Sequence, residues 1–338
     1  MALQTVMQHV SHMPPEPEND KHTREATLDE RRRPLSSGIS RRGRGTNKRG
    51  RGRRPDDGKE SSGLWLRVTT ALLMAGILLL AIFLLPQRAW ALLLIMPAAF
   101  AAWEWAALCR LKTTGQLLLT LLIVSLCLSI IAYLPQWVTA LRSDSYQASG
   151  DVTIYGAATI FWVVLVPMCL RYRWHIATPI FGSICGLVVI FPAWLAMVQM
   201  RTMGTKLFIA ILAGIFIADI AAYFSGKMLG KHKLAPNISP AKTWEGAIIS
   251  SVAVTIYGLL LCRHYQFDLL PGYLLLALFV GLTSLSIAGD LFESWFKRQA
   301  NIKNSGNLLP GHGGFLDRID SLCSTLPVIA FLWFYLRY

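Results

Sequence analysis

The apolar and polar positions of this chain alternate in long blocks rather than residue by residue. From about residue 64 onwards, long apolar runs are separated by short polar connections. A helix needs about 20 consecutive apolar residues to cross about 30 Å of hydrocarbon, and the runs have about that length. The pattern therefore predicts an all-α, polytopic integral membrane protein.

The apolar runs predict about nine transmembrane helices. Their expected bounds are 64–86, 89–108, 116–135, 153–170, 177–199, 206–225, 244–262, 270–291 and 321–337. Several tryptophans near the ends of these spans, among them Trp90, Trp105 and Trp194, are expected to anchor the chain at the membrane surface, because indole rings favour the interface.

Composition agrees with a membrane protein. The chain is 54% hydrophobic and only 15% charged, its mean hydropathy is +0.44, and soluble domains carry about 25% charged residues. The six cysteines are scattered, mostly within apolar runs, and form neither a C-x-x-C pair nor a Cys/His cluster. Neither a disulfide framework nor a zinc site is predicted.

Residues 1–62 differ from the rest of the chain. They are rich in Pro, Ser, Gly, Arg and Glu, so they cannot bury enough apolar area to offset the entropy of ordering. They are predicted to form a disordered basic cytoplasmic tail before a transmembrane domain at 63–338. The first apolar run begins too late for a signal peptide. Adhesion of the tail to anionic lipid is left open, whereas nucleic-acid binding is not expected because no aromatic residues are interleaved to stack on bases.

Lysine and arginine in the connections predict the orientation of the chain. The basic tail places the N-terminus in the cytoplasm, and alternation of nine spans then puts the two most basic loops, 226–246 and 291–320, on the same side. The connections expected on the opposite side, 136–152, 200–205 and 263–269, are poor in bases, which agrees with this arrangement.

Acids from three predicted helices are expected on the cytoplasmic side. Intramembrane acids are costly, by about 2.5–3.5 kcal/mol each on insertion scales, and usually mark function. Asp219 lies in the sixth span, Asp290 ends the eighth, and Asp317 and Asp320 stand three apart at the start of the ninth. Such a cluster needs cations, and its oxygen ligands favour Mg²⁺. Glu104, near the end of the second span, is expected to snorkel or to be paired rather than to catalyse.

Bases and glycines surround these acids in the two cytoplasmic loops. Glycines let backbone N–H groups approach an anion, and the start of the seventh helix favours phosphate. The residues concerned include Lys227, Ser239, Lys242, Thr243, Lys297, Arg298, Lys303 and His312. The residues alone leave two classes open: metal-dependent phosphoryl or nucleotidyl transfer, and ion-coupled transport through intramembrane aspartates. An RNA-tethering scaffold would rest on the tail alone.

Two long motifs span these loops. One is S-W-F-K-R-x4-K-N-S-G-x-L-L-P-G-H-G-G-F-L-D-R-I-D at Ser294–Asp320, and the other is A-D-x-x-A-Y-x-x-G-K-x-x-G-K-H-K-L-A-P-x-I-S-P-x-K-T-W-E-G at Ala218–Gly246. Both resemble the signatures of the phosphatidate cytidylyltransferases, also called CDP-diacylglycerol synthases. The similarity covers about residues 64–338. It implies a nucleotidyltransferase of phospholipid biosynthesis in the bacterial inner (plasma) membrane, active on the cytoplasmic side. CTP and phosphatidate would give CDP-diacylglycerol and pyrophosphate with Mg²⁺, while a second cation and a homodimer are left open.

The resemblance also implies roles for individual residues. The implied metal ligands are Asp290 and Asp317, with Asp219 and Asp320 in support. The implied catalytic groups are Asp290, Asp317, Lys297, Arg298, Arg318 and His312. The implied substrate contacts are Lys227, Ser239, Lys242, Thr243, Ser294, Lys303, Gly313 and Gly314. For His312, a structural role in its glycine-rich loop is left equally open.

The chain departs from the family pattern at one position. Where that pattern has K-D, this chain has Lys303-Asn304. An amide can ligate Mg²⁺ through its oxygen but brings no negative charge. A weakly active or specialised paralogue therefore stays open as an alternative, beside the transporter.

Overall fold

The computed structural model describes residues 69, 73, 75–134, 151–174, 178–266, 270–302, 305–306 and 313–337. The predicted tail at 1–62 lies outside the described residues, as do Lys303, Asn304 and His312. Almost all of the described chain is helical.

Nine helices follow one another along the described residues. They are α1 (Ala75–Leu84), α2 (Gln87–Leu108), α3 (Thr113–Tyr133), α4 (Val152–Tyr172), α5 (Pro179–Met200), α6 (Thr205–Leu229), α7 (Trp244–Tyr265), α8 (Gly272–Gln299) and α9 (Asp320–Arg337). Seven of them, α2 to α8, are long and apolar enough to cross a membrane, with α5 counted together with the turn that follows it, and α1 and α9 are shorter apolar helices. The all-α, polytopic class is confirmed.

Two prolines account for irregular turns in the helices. Proline lacks an N–H, and its ring clashes with the carbonyl four residues earlier. The two parts of α2 meet at Leu94, next to Leu93, whose carbonyl is the one four residues before Pro97. In α4, the π-helical turn Phe161–Leu165 precedes Pro167 and takes up the same conflict.

The core is organised around α5. About 61% of its span is buried, against 22% for α3, α6 and α7, and it packs against α2 and α9. The prediction that Trp90, Trp105 and Trp194 anchor the chain at the membrane surface is wrong, because all three are buried. The indole N–H groups of Trp90 and Trp105 donate to backbone carbonyls 3.1 and 2.8 Å away inside the core, which satisfies them without interfacial water.

A two-stranded hairpin joins α6 to α7, where the sequence predicted only a glycine-rich loop. Strand β1 (Lys233–Ala235) pairs antiparallel with β2 (Ser239–Thr243). The side chain of Thr243 caps α7 by accepting a hydrogen bond from the Gly246 N–H at 3.2 Å. A Cβ atom on Gly230 would lie 2.6 Å from Thr243 Cγ2, so glycine there lets the end of α6 approach the cap.

Helix α8 continues to Gln299 rather than ending near 291 as predicted. Asp290, Glu293 and Lys297 therefore lie on one helical face, separated by single turns. Gly289 brings α9 close to this face, because a Cβ atom there would lie 2.5 Å from Ser324 Oγ and 2.9 Å from the Asp320 carbonyl oxygen.

Candidate active site

Asp219 connects the three helices that carry the acids. Its Oδ1 atom accepts hydrogen bonds from Ser286 Oγ of α8 at 3.3 Å and from Ser321 Oγ of α9 at 3.1 Å. Its carboxylate also interacts electrostatically with that of Asp290, and Asp320 interacts with both. The prediction that acids of α6, α8 and α9 meet on one side of the bundle is thus matched by their positions.

Lys242 and Asp290 form an ion pair between β2 and α8. Lys242 belongs to the Ala218–Gly246 motif, and Asp290 belongs to the segment that leads into the Ser294–Asp320 motif. Both side chains keep part of their surface exposed, so the pair is accessible from outside the bundle. The two halves of the sequence signature therefore meet in space.

Lys297 joins α8 to the segment before α9. Its Nζ atom lies 2.7 Å from Asp317 Oδ1 and 3.5 Å from Glu293 Oε1, and the Gly314 N–H donates to Asp317 Oδ2 at 3.2 Å. Burial alone would raise the pKa of Asp317, but the nearby Glu293 carboxyl group, the Lys297 ammonium and the Gly314 N–H outweigh it and hold that pKa below its ordinary value. Asp317 is consequently ionised at neutral pH.

The donor chemistry of this cluster fits a divalent cation. Its acids offer only carboxylate oxygens, which hard cations prefer. Among the described residues, however, no three Asp, Glu, His or Cys side chains converge on one point. Lysines and carboxylates are interleaved instead, so the implied metal ligands stay a prediction.

The other predicted site residues lie in α6, the hairpin, α8 and the turn before α9. Arg298 donates from Nε to the Ile238 carbonyl at 3.2 Å, which holds the hairpin against α8. Lys227 and Arg318 are exposed, whereas Ser239 and Ser294 are partly buried. Their predicted contacts with substrate stay predictions.

Three predicted substrate contacts also have clear structural roles. Thr243 is buried as the cap of α7. Gly313 has a φ of +82°, a backbone conformation that L side chains rarely adopt. Gly314 is packed so closely that a Cβ atom would lie 1.8 Å from Ser305 Oγ. Glycine is required at 313 and 314 by the fold itself, whether or not substrate touches them.

Glu104 is a feature of this region that the sequence did not reveal. It does not snorkel: its side chain is buried, with 2% of the residue exposed. The alternative expectation, that Glu104 is paired, agrees with the structure: it accepts hydrogen bonds from backbone N–H groups of the segment that precedes α9. No local pattern around Ala102–Ala106 indicates partners 201 to 212 residues further along the chain.

An apolar cavity of about 220 Å³ lies between α6, α7, α8 and α9. Its lining includes Gly214, Ala218, Tyr257, Phe279 and Ser286. Since Ser286 is also the hydrogen-bond donor to Asp219, the cavity reaches the acid cluster.

Comparison with known proteins agrees with this arrangement. The model of the cytidylyltransferase family matches residues 65–336. A phosphatidate cytidylyltransferase of Pseudomonas aeruginosa is 37% identical over 280 residues, which cover 79% of this chain and 96% of that protein. One from Haemophilus influenzae is 29% identical over 292 residues, covering 80% of this chain and 98% of its own length. One from Brucella suis is 44% identical over 126 residues, 37% of this chain and 46% of that protein.

The matched region contains the described helices, except for the last residue of α9, and both motifs, so the resemblance indicated by the motifs is confirmed. The chain belongs to the cytidylyltransferase family.

Proposed function

We propose that this member of the family transfers a cytidylyl group from CTP to phosphatidate, giving CDP-diacylglycerol and pyrophosphate. The observation that carries the proposal is the ion pair between Lys242 and Asp290, which brings the first motif against the segment that leads into the second, beside an apolar cavity. A polar nucleotide and a lipid phosphate require such a junction between charged and apolar surroundings.

The reaction needs no protein nucleophile. A phosphate oxygen of phosphatidate attacks the α-phosphorus of CTP and forms a new P–O bond. The bond from the α-phosphorus to the oxygen that bridges to the β-phosphate breaks, and pyrophosphate leaves with that electron pair. Catalysis therefore consists of holding two anionic groups in line and neutralising the charge that develops on the leaving group.

Lys242, Lys297 and Arg298 are suited to the second task. Each lysine is held by a carboxylate, Asp290 or Asp317, and an ammonium group has three N–H donors. Each can thus contact a phosphate oxygen while its position stays fixed. Arg298 uses Nε to hold the Ile238 carbonyl, so its terminal N–H groups complete the set.

We further propose that Asp290 and Asp317, supported by Asp219 and Asp320, hold Mg²⁺. When bound, the cation neutralises phosphate charge in the transition state. Lys242 pairs with Asp290, and Lys297 pairs with Asp317. The site therefore presents groups of both charges, which suit a cation and the phosphates bound with it. A second cation and a homodimer stay predictions, which metal titration and mass measurement in detergent address.

The apolar cavity supports a lipid substrate. Ser286 places one end of the cavity beside Asp219, and the rest of its lining is almost entirely apolar. We propose that an acyl chain of phosphatidate lies there with its phosphate at the acids. The concentration of lysine and arginine in the two motif-bearing loops supports a cytoplasmic active site in a bacterial inner membrane.

The test is a transfer assay on purified protein with labelled CTP and phosphatidate. We expect CDP-lipid to form only with a divalent cation, and to be absent when diacylglycerol, which lacks the attacking phosphate, replaces phosphatidate. ATP and UTP in place of CTP test the choice of base. If no product forms across several metals and acyl chains, the transferase assignment is wrong and the transporter or inactive-paralogue alternative is favoured.

A further inference from the structure

The carboxylate of Glu104 is buried and accepts three hydrogen bonds from residues that precede α9. Glu104 belongs to α2, outside both motifs. Its Oε1 accepts a hydrogen bond from the Phe315 N–H at 3.0 Å, and its Oε2 accepts from the Leu316 N–H at 2.8 Å and from Ser305 Oγ at 3.1 Å. Both oxygens are therefore engaged, so the segment before α9 holds the carboxylate in place.

Two glycines of the second motif lie directly against this carboxylate. A Cβ atom on Gly306 would lie 2.2 Å from Glu104 Oε1, and one on Gly314 would lie 2.8 Å from Glu104 Oε2. Successive backbone N–H groups beside glycines form a concave site for an anion. In this segment the anion is supplied by the protein itself.

The clamped segment leads directly into the acid cluster. Phe315 and Leu316 immediately precede Asp317, and the neighbouring Gly314 N–H donates to Asp317 Oδ2. The Phe315 ring also packs edge-on against Phe100 of α2, with 6.2 Å between ring centroids. Two backbone amides held by one buried carboxylate thus fix the point from which the Asp317 side chain reaches Lys297.

We propose that Glu104 is a positioning residue for the transfer reaction: it holds residues 313–318 against α2 so that Asp317 stays in place against Lys297. The inference rests on the proposed function, because it concerns the acid assigned there to the reaction. It predicts that Glu104 affects turnover more than substrate binding, since misplacing a catalytic group by a small distance slows the chemical step without removing the groups that bind substrate.

The first test compares steady-state kinetics of the wild type, Glu104→Gln and Glu104→Asp. An amide keeps the size of the side chain but turns an N–H₂ group towards one set of donors, and Asp shortens the reach by one methylene. We expect kcat to fall by about 10–100-fold in both variants, with KM for CTP changed by less than about threefold. Glu104→Gln with kcat within about twofold of the wild type would overturn the proposal.

Tyr155→Phe is the matched control for loss of a buried hydrogen bond. Tyr155 Oη donates to Gln199 Oε1 at 2.7 Å, between α4 and the end of α5. We expect its thermal midpoint to fall as much as that of Glu104→Gln while kcat stays within about twofold. Equal losses of kcat in the two variants would reduce Glu104 to a general stabilising residue and contradict the proposal.

A second measurement does not depend on activity. In hydrogen–deuterium exchange of the full chain, at least one of the Phe315 and Leu316 amides should exchange at least about 10-fold faster in Glu104→Gln than in the wild type, because Gln keeps only one acceptor oxygen for the two amides. Ser305→Ala, which removes only one of three donors, should leave these amides protected and reduce kcat less. If the wild type is inactive, the proposed function fails; if it is active but exchange at 315–316 is unchanged in Glu104→Gln, the positioning role fails.

Discussion

The first half of the site is formed by α6, the β1–β2 hairpin and α7. Only 22% of each of the α6 and α7 spans is buried. The second half, formed by the end of α8, residues 313–318 and the start of α9, is packed into the core. Phe292 and Phe296 of α8 are buried against Trp105, whose ring lies 4.7 Å from that of Phe296. Glu104 then clamps the segment that carries Asp317.

This difference separates the tasks of the two halves. The second half fixes most of the acids and Lys297 to the least exposed part of the bundle. The first half presents Lys242 and borders the cavity in which we place the lipid. Few described polar contacts join the halves: the Lys242–Asp290 pair, the Arg298 bond to the hairpin and the two serine bonds to Asp219. The two halves can therefore be tested separately by substitution.

The largest effect is expected from changing an acid of the anchored half. Asp317→Asn removes the charge that holds Lys297 and the cation proposed at this position, so we expect CDP-lipid formation to fall by about 10³-fold. Glu245→Gln is the matched control, because it makes the same change in the first half, where Glu245 contacts His232. Its rate should stay within about fivefold. An Asp317→Asn enzyme that is folded and retains a tenth of the wild-type rate would refute the assignment of Asp317.

A smaller loss is expected when the ion pair between the halves is broken. Lys242→Met keeps the aliphatic chain but removes the ammonium, which should lower kcat/KM by about 10²-fold, the usual effect of losing one charged donor to a phosphate. Lys206→Met is the control, since Lys206 is exposed near the other end of α6. Equal rates for the two variants would show that Lys242 takes no part in the reaction.

Filling the apolar cavity between α6, α7, α8 and α9 tests the binding of the lipid separately from that of the nucleotide. Gly214 lines the cavity, so Gly214→Leu should reduce transfer to long-chain phosphatidate by about 10-fold relative to a short-chain analogue, because each buried methylene contributes about 0.8 kcal/mol. Gly281→Leu on α8 is the control, since a Cβ atom there meets nothing within 4 Å. An unchanged ratio of long-chain to short-chain rates would exclude this cavity as the acyl site.

Local patterns in the sequence were enough to predict the helices and which acids lie together in the candidate site. Apolar runs set the helices because hydrocarbon thickness fixes their length. Acids such as Asp219 and Asp290 stood out because few charges interrupt those runs. Alternation of the spans then placed the acids on one side.

Contacts between distant parts of the chain could not be predicted in the same way. Trp105 was expected at the membrane surface because it is a tryptophan near the end of a span, yet the Gly182 carbonyl accepts its N–H inside the core. Glu104 lies in an apolar run with no local sign of the segment it binds. Gly314 was expected to contact substrate and Gly306 was not singled out, whereas both leave room for this carboxylate. Each of these features depends on tertiary packing, which cannot be read from the periodicity of a single sequence.

The smallest effect is expected from weakening the first half without touching its charges. Thr243→Val keeps the shape of the side chain but removes the hydroxyl that caps α7, which should lower the free energy of unfolding by about 1 kcal/mol and reduce kcat by less than about threefold. Thr120→Val removes a hydroxyl that bonds only within α3, so its thermal midpoint in detergent should change less. If Thr243→Val instead lost as much activity as Lys242→Met at unchanged stability, the hydroxyl would act on substrate rather than on the helix. The first half would then contribute a second substrate-binding group beside Lys242.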